Sequence, residues 1–327
     1  MDSETSTQDC SIIICTRNRA ESLQRTLSAV LQQRYDTDRL EIVVVDNAST
    51  DHTKSIVESC LAESPFRVRY VVESRVGLSH ARNRGVEQAS GGIVIFLDDD
   101  AFPAKASWVQ QLVSAYADPR VGAAGGDLVP VWPHGKRPEW MHDQLLYSLG
   151  LTRFDHADTT ETHYPLYPWG ANISYRKERV ERLGGFSPRL GRQGGQPLSG
   201  EETELCLRLE QTGDKVVYVP GAVVHHDVAP EQLTTESIKH YAVYQGISEA
   251  RIEVANFTRA RLSIRIIRKA ALLVAGVAGT LVFSASRSPR LRLLSQFKLR
   301  TSRAYLSALL RPGIGQAVSR DEPETSS

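Results

Sequence analysis

The chain reads as an α/β protein with a mainly parallel sheet and a helical C-terminal extension. Three observations carry this expectation. Short apolar runs alternate with helical patterns through the first third of the sequence. Clusters of polar residues fall directly after the apolar runs. From residue 231 to about residue 310 the pattern turns mostly helical. Strands alternating with helices at short spacing imply βαβ units and a parallel sheet.

Taken in order, residues 11–15 read as a buried strand, and residues 20–33 as a helix with Leu23, Leu27, Val30 and Leu31 on one face. Residues 42–45 are all β-branched, as suits a second strand. A short helix over 53–61, an alternating strand over 67–72, a helix over 78–89 and a strand over 92–97 complete this part. Residues 130–168 hold Pro130, Pro133, Pro138, Pro165 and Pro168, and read as a long irregular excursion. A strand over 171–175, a helix over 177–183, a Gly-rich loop over 184–200, a helix over 201–211 and strands over 215–219 and 222–225 follow. The expected organisation is a disordered start over 1–8, one α/β domain over 9–230 and a helical basic region over 231–320. The domain divides into 9–129, with the polar clusters that follow the strands, and 130–230, with the Pro-rich excursion and the Gly-rich loop. The tail over 321–327 is expected to be disordered.

The charge balance is uneven. The net formal charge is only +1, yet residues 257–320 carry 13 Lys or Arg and no acid. The remainder then holds 26 basic residues against all 38 acids. Such a split points to a basic region facing something anionic. Within it lies a 14-residue apolar run over 270–283, flanked by Arg265, Arg268, Lys269, Arg287, Arg290 and Arg292. A membrane span needs about 20 residues, so the run is short for one. An interfacial helix, a re-entrant hairpin or a helix packed on the domain are the alternatives. Anionic lipid attracts basic flanks by about 1 kcal/mol per charge near the surface, and peripheral membrane contact is the expectation. No nucleic-acid recognition motif accompanies the charge. The four cysteines form no C-x-x-C pair and fit free thiols in a reducing cytosol. The acidic, polar opening residues are unlike a signal peptide.

The sharpest chemical feature is Asp98-Asp99-Asp100 after the strand over 92–97. Three adjacent carboxylates repel one another unless they are solvated or neutralised by a cation. Hard oxygen ligands suit Mg²⁺ or Mn²⁺, and a sheet of this kind binds ligands beyond the carboxyl ends of its strands. Asp46-Asn47 ends the second strand in the same way. Asp46 could accept a hydrogen bond from a nucleobase, while Ser49 to Asp51 could equally cap the next helix.

Together these segments resemble the family 2 glycosyltransferases, whose fold is GT-A. The matching segments run from Ser11 to Arg19, from Val45 to Asp51, from Gly77 to Gly85, from Phe96 to Asp100, over Gly170-Ala171-Asn172 and Gly184-Gly185-Phe186, and from Gly200 to Leu209. The resemblance spans residues 9–228. It implies an inverting transferase, dependent on a divalent cation and a nucleotide-sugar, with a UDP-sugar as the default donor. Asp46 would hold the donor base, with Thr16, Arg17 and Arg82 nearby. Asp98 and Asp99 would lie by the ribose or diphosphate. Asp98 and Asp100, with His226, would ligate the metal. His225 is the alternative ligand, and on one strand only one of the two can face the site. Glu202 would be the general base and Glu201 its alternative, since the family's Glu-Asp pair is Glu-Glu here. Trp169, Gly170 and Asn172 would meet a glycan or lipid-linked acceptor, and Trp169 is favoured over Trp132, Trp140, Tyr164 and Tyr167. The expected location is the cytoplasmic face of a membrane. No Gly-rich triphosphate loop supports a nucleotidyltransferase, and no Gln-x-x-Arg-Trp signature supports a processive synthase.

Overall fold

A computed structural model describes residues 8–151, 157–192, 198–285, 288–311 and 314. The elements in chain order begin with β1 (Cys10–Thr16), α1 (Ala20–Val30), β2 (Leu40–Asp46), α2 (Thr53–Glu63), β3 (Arg67–Val72), α3 (Leu78–Gln88) and β4 (Ile93–Asp98). Next come β5 (Ala101–Pro103), α4 (Trp108–Ser114), β6 (Val121–Gly125), β7 (Leu128–Val131), β8 (Thr160–Thr162), β9 (Asn172–Arg176) and α5 (Lys177–Arg182). The last are α6 (Glu201–Gln211), β10 (Lys215–Tyr218), β11 (Val224–Asp227), α7 (Thr235–Asn256), α8 (Arg259–Ala285) and α9 (Pro289–Leu309). Part of the expected loop over 184–200 lies outside the described residues, as do the 1–7 start and the 321–327 tail.

The chain divides into two compact units. Among the described residues, the first holds those up to Trp132, Gly150–Phe186 and Glu202–Val228. The second holds Pro133–Leu149, Ser187–Glu201 and those from Ala229 onward.

The first unit is organised by an eight-stranded sheet in the order β3-β2-β1-β4-β9-β6-β10-β8. β1 to β4 run parallel, with β2 and β3 added on one side of β1 and β4 on the other. β9 is antiparallel to both β4 and β6, and β8 is antiparallel to β10, so the sheet is mixed beyond β4. Ile12, Ile13 and Ile14 of β1 and Ile42 to Val45 of β2 are fully buried. A continuous apolar strand is what a sheet covered on both faces demands. A second sheet of three strands, β5-β11-β7, carries the site's remaining wall. The Asp98-Asp99-Asp100 segment is where the chain leaves β4 in one sheet to enter β5 in the other.

The second unit is built on α7, α8 and α9. α7 and α9 approach closely: a Cβ on Gly246 would lie 2.2 Å from the Thr301 carbonyl oxygen. Glu253 of α7 is fully buried, accepts a hydrogen bond from Tyr305 Oη of α9 at 2.6 Å and pairs with Arg265 of α8 at 2.6 Å. Lys269 of α8 pairs with Glu249 of α7. These buried ion pairs need three helices at once, which ties α8 at its N-terminal half. The rest of α8 leaves a broad apolar surface open, with Ile267, Val274 and Leu281 each about 70% exposed. Over Arg259–Phe283 it is long and apolar enough to cross a membrane, and only 11% of its most apolar window is buried.

Candidate active site

The three aspartates divide their work by direction. Asp99 turns back into the fold, where Thr16 Oγ1 donates to it at 2.8 Å, Arg19 Nη1 pairs with it at 2.8 Å, and its carbonyl accepts from Thr26 Oγ1 at 3.0 Å. Burial pushes its carboxyl up to about 6 against the pull of Arg19. Asp99 therefore anchors the turn. Asp98 and Asp100 stay partly open, and Arg19 Nη1 also pairs with Asp100 Oδ2 at 2.7 Å.

β11 brings the third group. Its register pairs His226 with Ala101 of β5, and the Asp227 amide donates to the Asp100 carbonyl at 2.9 Å. This seats His226 Nε2 3.3 Å from Asp100 Oδ1. His225 points to the opposite face, its ring 5.5 Å from that of Phe102. Asp98, Asp100 and His226 each offer one ligand atom, and the three lie within 4.8 Å of one another. Six-coordinate Mg²⁺ holds neighbouring ligands about 3 Å apart, so small side-chain rotations would close the set. Two carboxylates and an imidazole suit Mn²⁺ or Mg²⁺. Among the described residues, Asp100 Oδ1 meets His226 Nε2 at 3.3 Å and no other donor, which leaves lone-pair capacity for an ion. Burial opposes ionisation of Asp100, but His226 and then Arg19 outweigh it and hold its carboxyl well below the usual range. The residues present fit a divalent cation.

Arg82 occupies the centre of the opposite wall. It is 3% exposed, and it stands 3.4 Å from Asp98 Oδ1 and 3.9 Å from Glu202 Oε2. Its guanidinium lies over the rings of Phe96 and Phe186, at 5.7 and 5.6 Å from their centroids. Those rings meet edge-on at 5.1 Å. Asn83, the next residue on α3, fixes Phe186 by donating to its carbonyl and accepting from its amide, each at 2.8 Å. Gly170 completes the seat: a Cβ there would lie 2.3 Å from Arg82 Nη2. Only glycine leaves room for the guanidinium. Glu202 itself is 4% exposed, at the start of α6, and Glu201 opens that helix.

The loops after β1 and β2 form a second locked cluster. Asp46 Oδ1 accepts from the Ser49 amide at 2.7 Å, and Oδ2 accepts from Tyr70 Oη. Asn47 binds three segments together, donating to the Glu73 and Arg75 carbonyls at 3.0 and 2.8 Å and accepting from the Gly77 amide at 2.8 Å. Asp51 caps α1 through the Ala20 amide at 3.1 Å and α2 through the Thr53 amide at 3.1 Å, the capping alternative for this stretch. Asp46 is thus partly spent on its own turn, though each oxygen keeps a second lone pair. Arg17 is exposed and donates to the Asn47 carbonyl at 3.2 Å.

Besides Asp99, which the sequence placed beside the donor, Asn172 takes a different part from the one expected. Asn172 is fully buried, with its amide donating to the Asp127 and Ala222 carbonyls at 3.1 and 2.7 Å and accepting from Trp108 Nε1 at 2.9 Å. Both amide hydrogens are used, so Asn172 joins β9 to its neighbours rather than meeting an acceptor. Tyr167 is buried against Glu210, whereas Trp169 is half-exposed. Arg19 and Asn47 were not singled out by sequence. The signal for Arg19 was its place after Thr16 in a loop facing three acids. For Asn47 it was an amide side chain directly after a strand, where the backbone needs partners.

Comparison with known proteins places this geometry. The model for "Glycosyl transferase family 2" matches residues 11–184. A glucosyl-dolichyl phosphate glucuronosyltransferase of Haloferax volcanii is 28% identical over 73% of this chain and 75% of its own. A validoxylamine A glucosyltransferase of Streptomyces hygroscopicus subsp. jinggangensis is 31% identical over 62% of this chain and 51% of its own. Among solved structures, the mannosyltransferase PcManGT from Pyrobaculum calidifontis, in complex with GDP-Man and Mn²⁺, superposes with a TM-score of 0.55. It is 24% identical and the match covers 94% of this chain and 77% of that one. The shared architecture is the GT-A fold, as the mixed sheet and its C-terminal helices also indicate.

Proposed function

Because the chain belongs to glycosyl transferase family 2, it is a glycosyltransferase, and we propose that it moves a sugar with inversion from a nucleoside diphosphate to a hydroxyl of a lipid-linked or other glycan acceptor. The observation that carries this reading is the convergence of Asp98, Asp100 and His226 within 4.8 Å, with Arg82 joining that wall to Glu202.

Asp98, Asp100 and His226 would hold a divalent cation. Bound there, Mn²⁺ or Mg²⁺ supplies positive charge to the leaving diphosphate. Asp46 and the loop braced by Asn47 frame the nucleoside, with Thr16 and Arg17 at its edge. Glu202 accepts the proton of the acceptor hydroxyl. The hydroxyl oxygen forms a bond to the anomeric carbon as the bond to the diphosphate oxygen breaks, and the electron pair leaves with the diphosphate. Arg82 fixes the position of the Glu202 carboxylate relative to Asp98. Glu201 is the alternative base. Trp169 and Gly170 border the acceptor.

A UDP-sugar is the first donor to try. The lipid-linked acceptor is supported by the Haloferax relative, which is named for one. The open apolar face of α8 and the acid-free basic stretch around it support peripheral contact with the cytoplasmic face of a membrane. The test is a panel of nucleotide-sugars with Mn²⁺ and Mg²⁺, followed by donor hydrolysis and transfer. Glu202→Gln should abolish turnover and spare donor binding. Undiminished turnover in that variant removes Glu202 as the base, and donor-independent behaviour across the whole panel removes the nucleotide-sugar reading.

A further inference from the structure

The second unit contains a cavity that the transfer chemistry does not use. It has a volume of about 580 Å³ and lies between α7, α8 and α9. A neighbouring cavity of about 320 Å³ shares Val243, Ile247 and Arg311 with it. Together they form one trough along α7. Its walls are apolar where Val243, Ile247 and Leu299 face it. Its rim is basic, with Lys239, Arg300, Arg303 and Arg311 on one cavity and Arg251 on the other. Among the described residues, no acid lines either cavity.

The positive charge is poorly compensated. Lys239 pairs with Glu236 at 2.6 Å, and Arg300 feels Glu236 only at longer range. Among the described residues, no carboxylate lies within ion-pair distance of Arg303 or Arg311. Burial and the nearby Arg311 together pull the Arg251 guanidinium below its usual value, the signature of two cations facing one space. Arg251 is held there by its hydrogen bond to the Arg189 carbonyl at 2.9 Å.

We infer that this trough binds the phosphate head of a long-chain lipid phosphate, with the guanidiniums on the phosphate and the hydrocarbon along Val243, Ile247 and Leu299. Charge and polarity both select this occupant. A phosphate monoester offers several acceptor oxygens to converging guanidiniums. The apolar walls suit a hydrocarbon and offer little to a bare anion or a hydrated nucleic acid. Thr280 of α8 lines the same cavity, and α8 carries the exposed face of Ile267, Val274 and Leu281. A lipid could therefore pass its tail from the trough onto that surface without crossing water. The inference rests on the lipid-linked reading of the acceptor and names the head group that this chain would grip.

The experiment uses the full chain and farnesyl phosphate as a soluble probe, with inorganic phosphate, farnesol and a single-stranded oligonucleotide as controls. Farnesyl phosphate should bind saturably and raise the melting temperature, and the three controls should not. Arg303→Gln combined with Arg311→Gln removes two exposed charges, so folding is preserved. It should weaken farnesyl phosphate about thirty-fold, from roughly fivefold for each of the two charges near a lipid surface. Nucleotide-sugar hydrolysis should be unchanged in that variant. Equal binding by the double variant, or equal binding of inorganic phosphate or oligonucleotide, overturns the trough as a lipid-phosphate site. Loss of hydrolysis in the wild-type chain, with farnesyl phosphate still bound, would instead overturn the transferase chemistry and leave the trough standing.

Discussion

The guanidinium of Arg82 lies 3.9 Å from the carboxylate of Glu202, and both side chains are at least 95% buried. A buried cation next to a buried acid persists only when other groups hold the pair in place. Here Phe96, Phe186 and the bare backbone of Gly170 do so. The pair therefore depends on a residue with no side chain.

Gly170→Ala tests that dependence. The new methyl would sit 2.3 Å from Arg82 Nη2, so the guanidinium must move. We expect turnover to fall about a hundredfold, the loss that a displacement of about 1 Å can cause. Donor binding should change much less. Steady-state kinetics with donor affinity measured separately would show the split, and an unaltered turnover would mean that Arg82 does not position the base.

Asp100→Asn and His226→Gln each remove one hard or borderline ligand while keeping shape. Mn²⁺ affinity should fall about tenfold or more in each. Calorimetry on the resting protein reads this without any substrate. Chelation of the wild-type chain should stop transfer and re-addition of Mn²⁺ should restore it. Unchanged Mn²⁺ affinity in both variants would place the ion elsewhere.

Glu41 gives a pH prediction away from the site. It is 4% exposed, and it accepts from Ser11 Oγ at 2.7 Å and the Ser90 amide at 2.5 Å. Burial opposes its charge, but these hydrogen bonds and Arg69 prevail, and its carboxyl is lowered. A carboxyl lowered by folding contributes stability above its unfolded value, and that stability is lost as pH falls through the folded value. Glu41→Gln should therefore cost stability at neutral pH and show a flatter acid limb below 4.5, the ordinary value for a glutamate. Chemical denaturation at pH 7 and at pH 4 compares the two slopes.

Glu253→Gln probes the helical unit alone. Removing the charge leaves Arg265 without its buried partner and weakens the Tyr305 contact. Breaking such a pair costs about 3–5 kcal/mol. Thermal unfolding should fall by several degrees, whereas Mn²⁺ binding by the first unit should persist. A variant as stable as the parent would show that the three helices do not rely on this network.

The sequence announced some of this and hid the rest, for identifiable reasons. β1, β2 and β4 are legible because Ile12 to Ile14, Ile42 to Val45 and Ile93 to Leu97 are strands buried on both faces. β6 is Val-Gly-Ala-Ala-Gly, and its small residues carry no strand propensity. Only the tight packing of β9 and β10 beside it makes it a strand. β7 contains Pro130, which its sheet tolerates through register with β11. The last strand runs Val224–Asp227, two residues later than the apolar pattern suggested, because pairing with Ala101 decides it. α8 begins at Arg259, well before the apolar run, since Arg265 and Lys269 find buried partners. At the site, Asp98, Asp100 and the proposed base Glu202 were visible as motifs. The roles of Arg19, Asn47 and Asn172 were not, because each depends on which distant carbonyls and carboxylates the fold brings within reach.

The pairing of His226 with Ala101 has a reach beyond catalysis. It brings Asp100 and His226, two of the proposed cation ligands, together from positions 126 residues apart in the chain, so neither half of the first unit would make the proposed centre by itself. Pairing so distant in sequence closes late in folding. Manganese capture would then report a finished molecule, and a chain that stops short of β11 should leave the ribosome with every aspartate and still no grip on the ion.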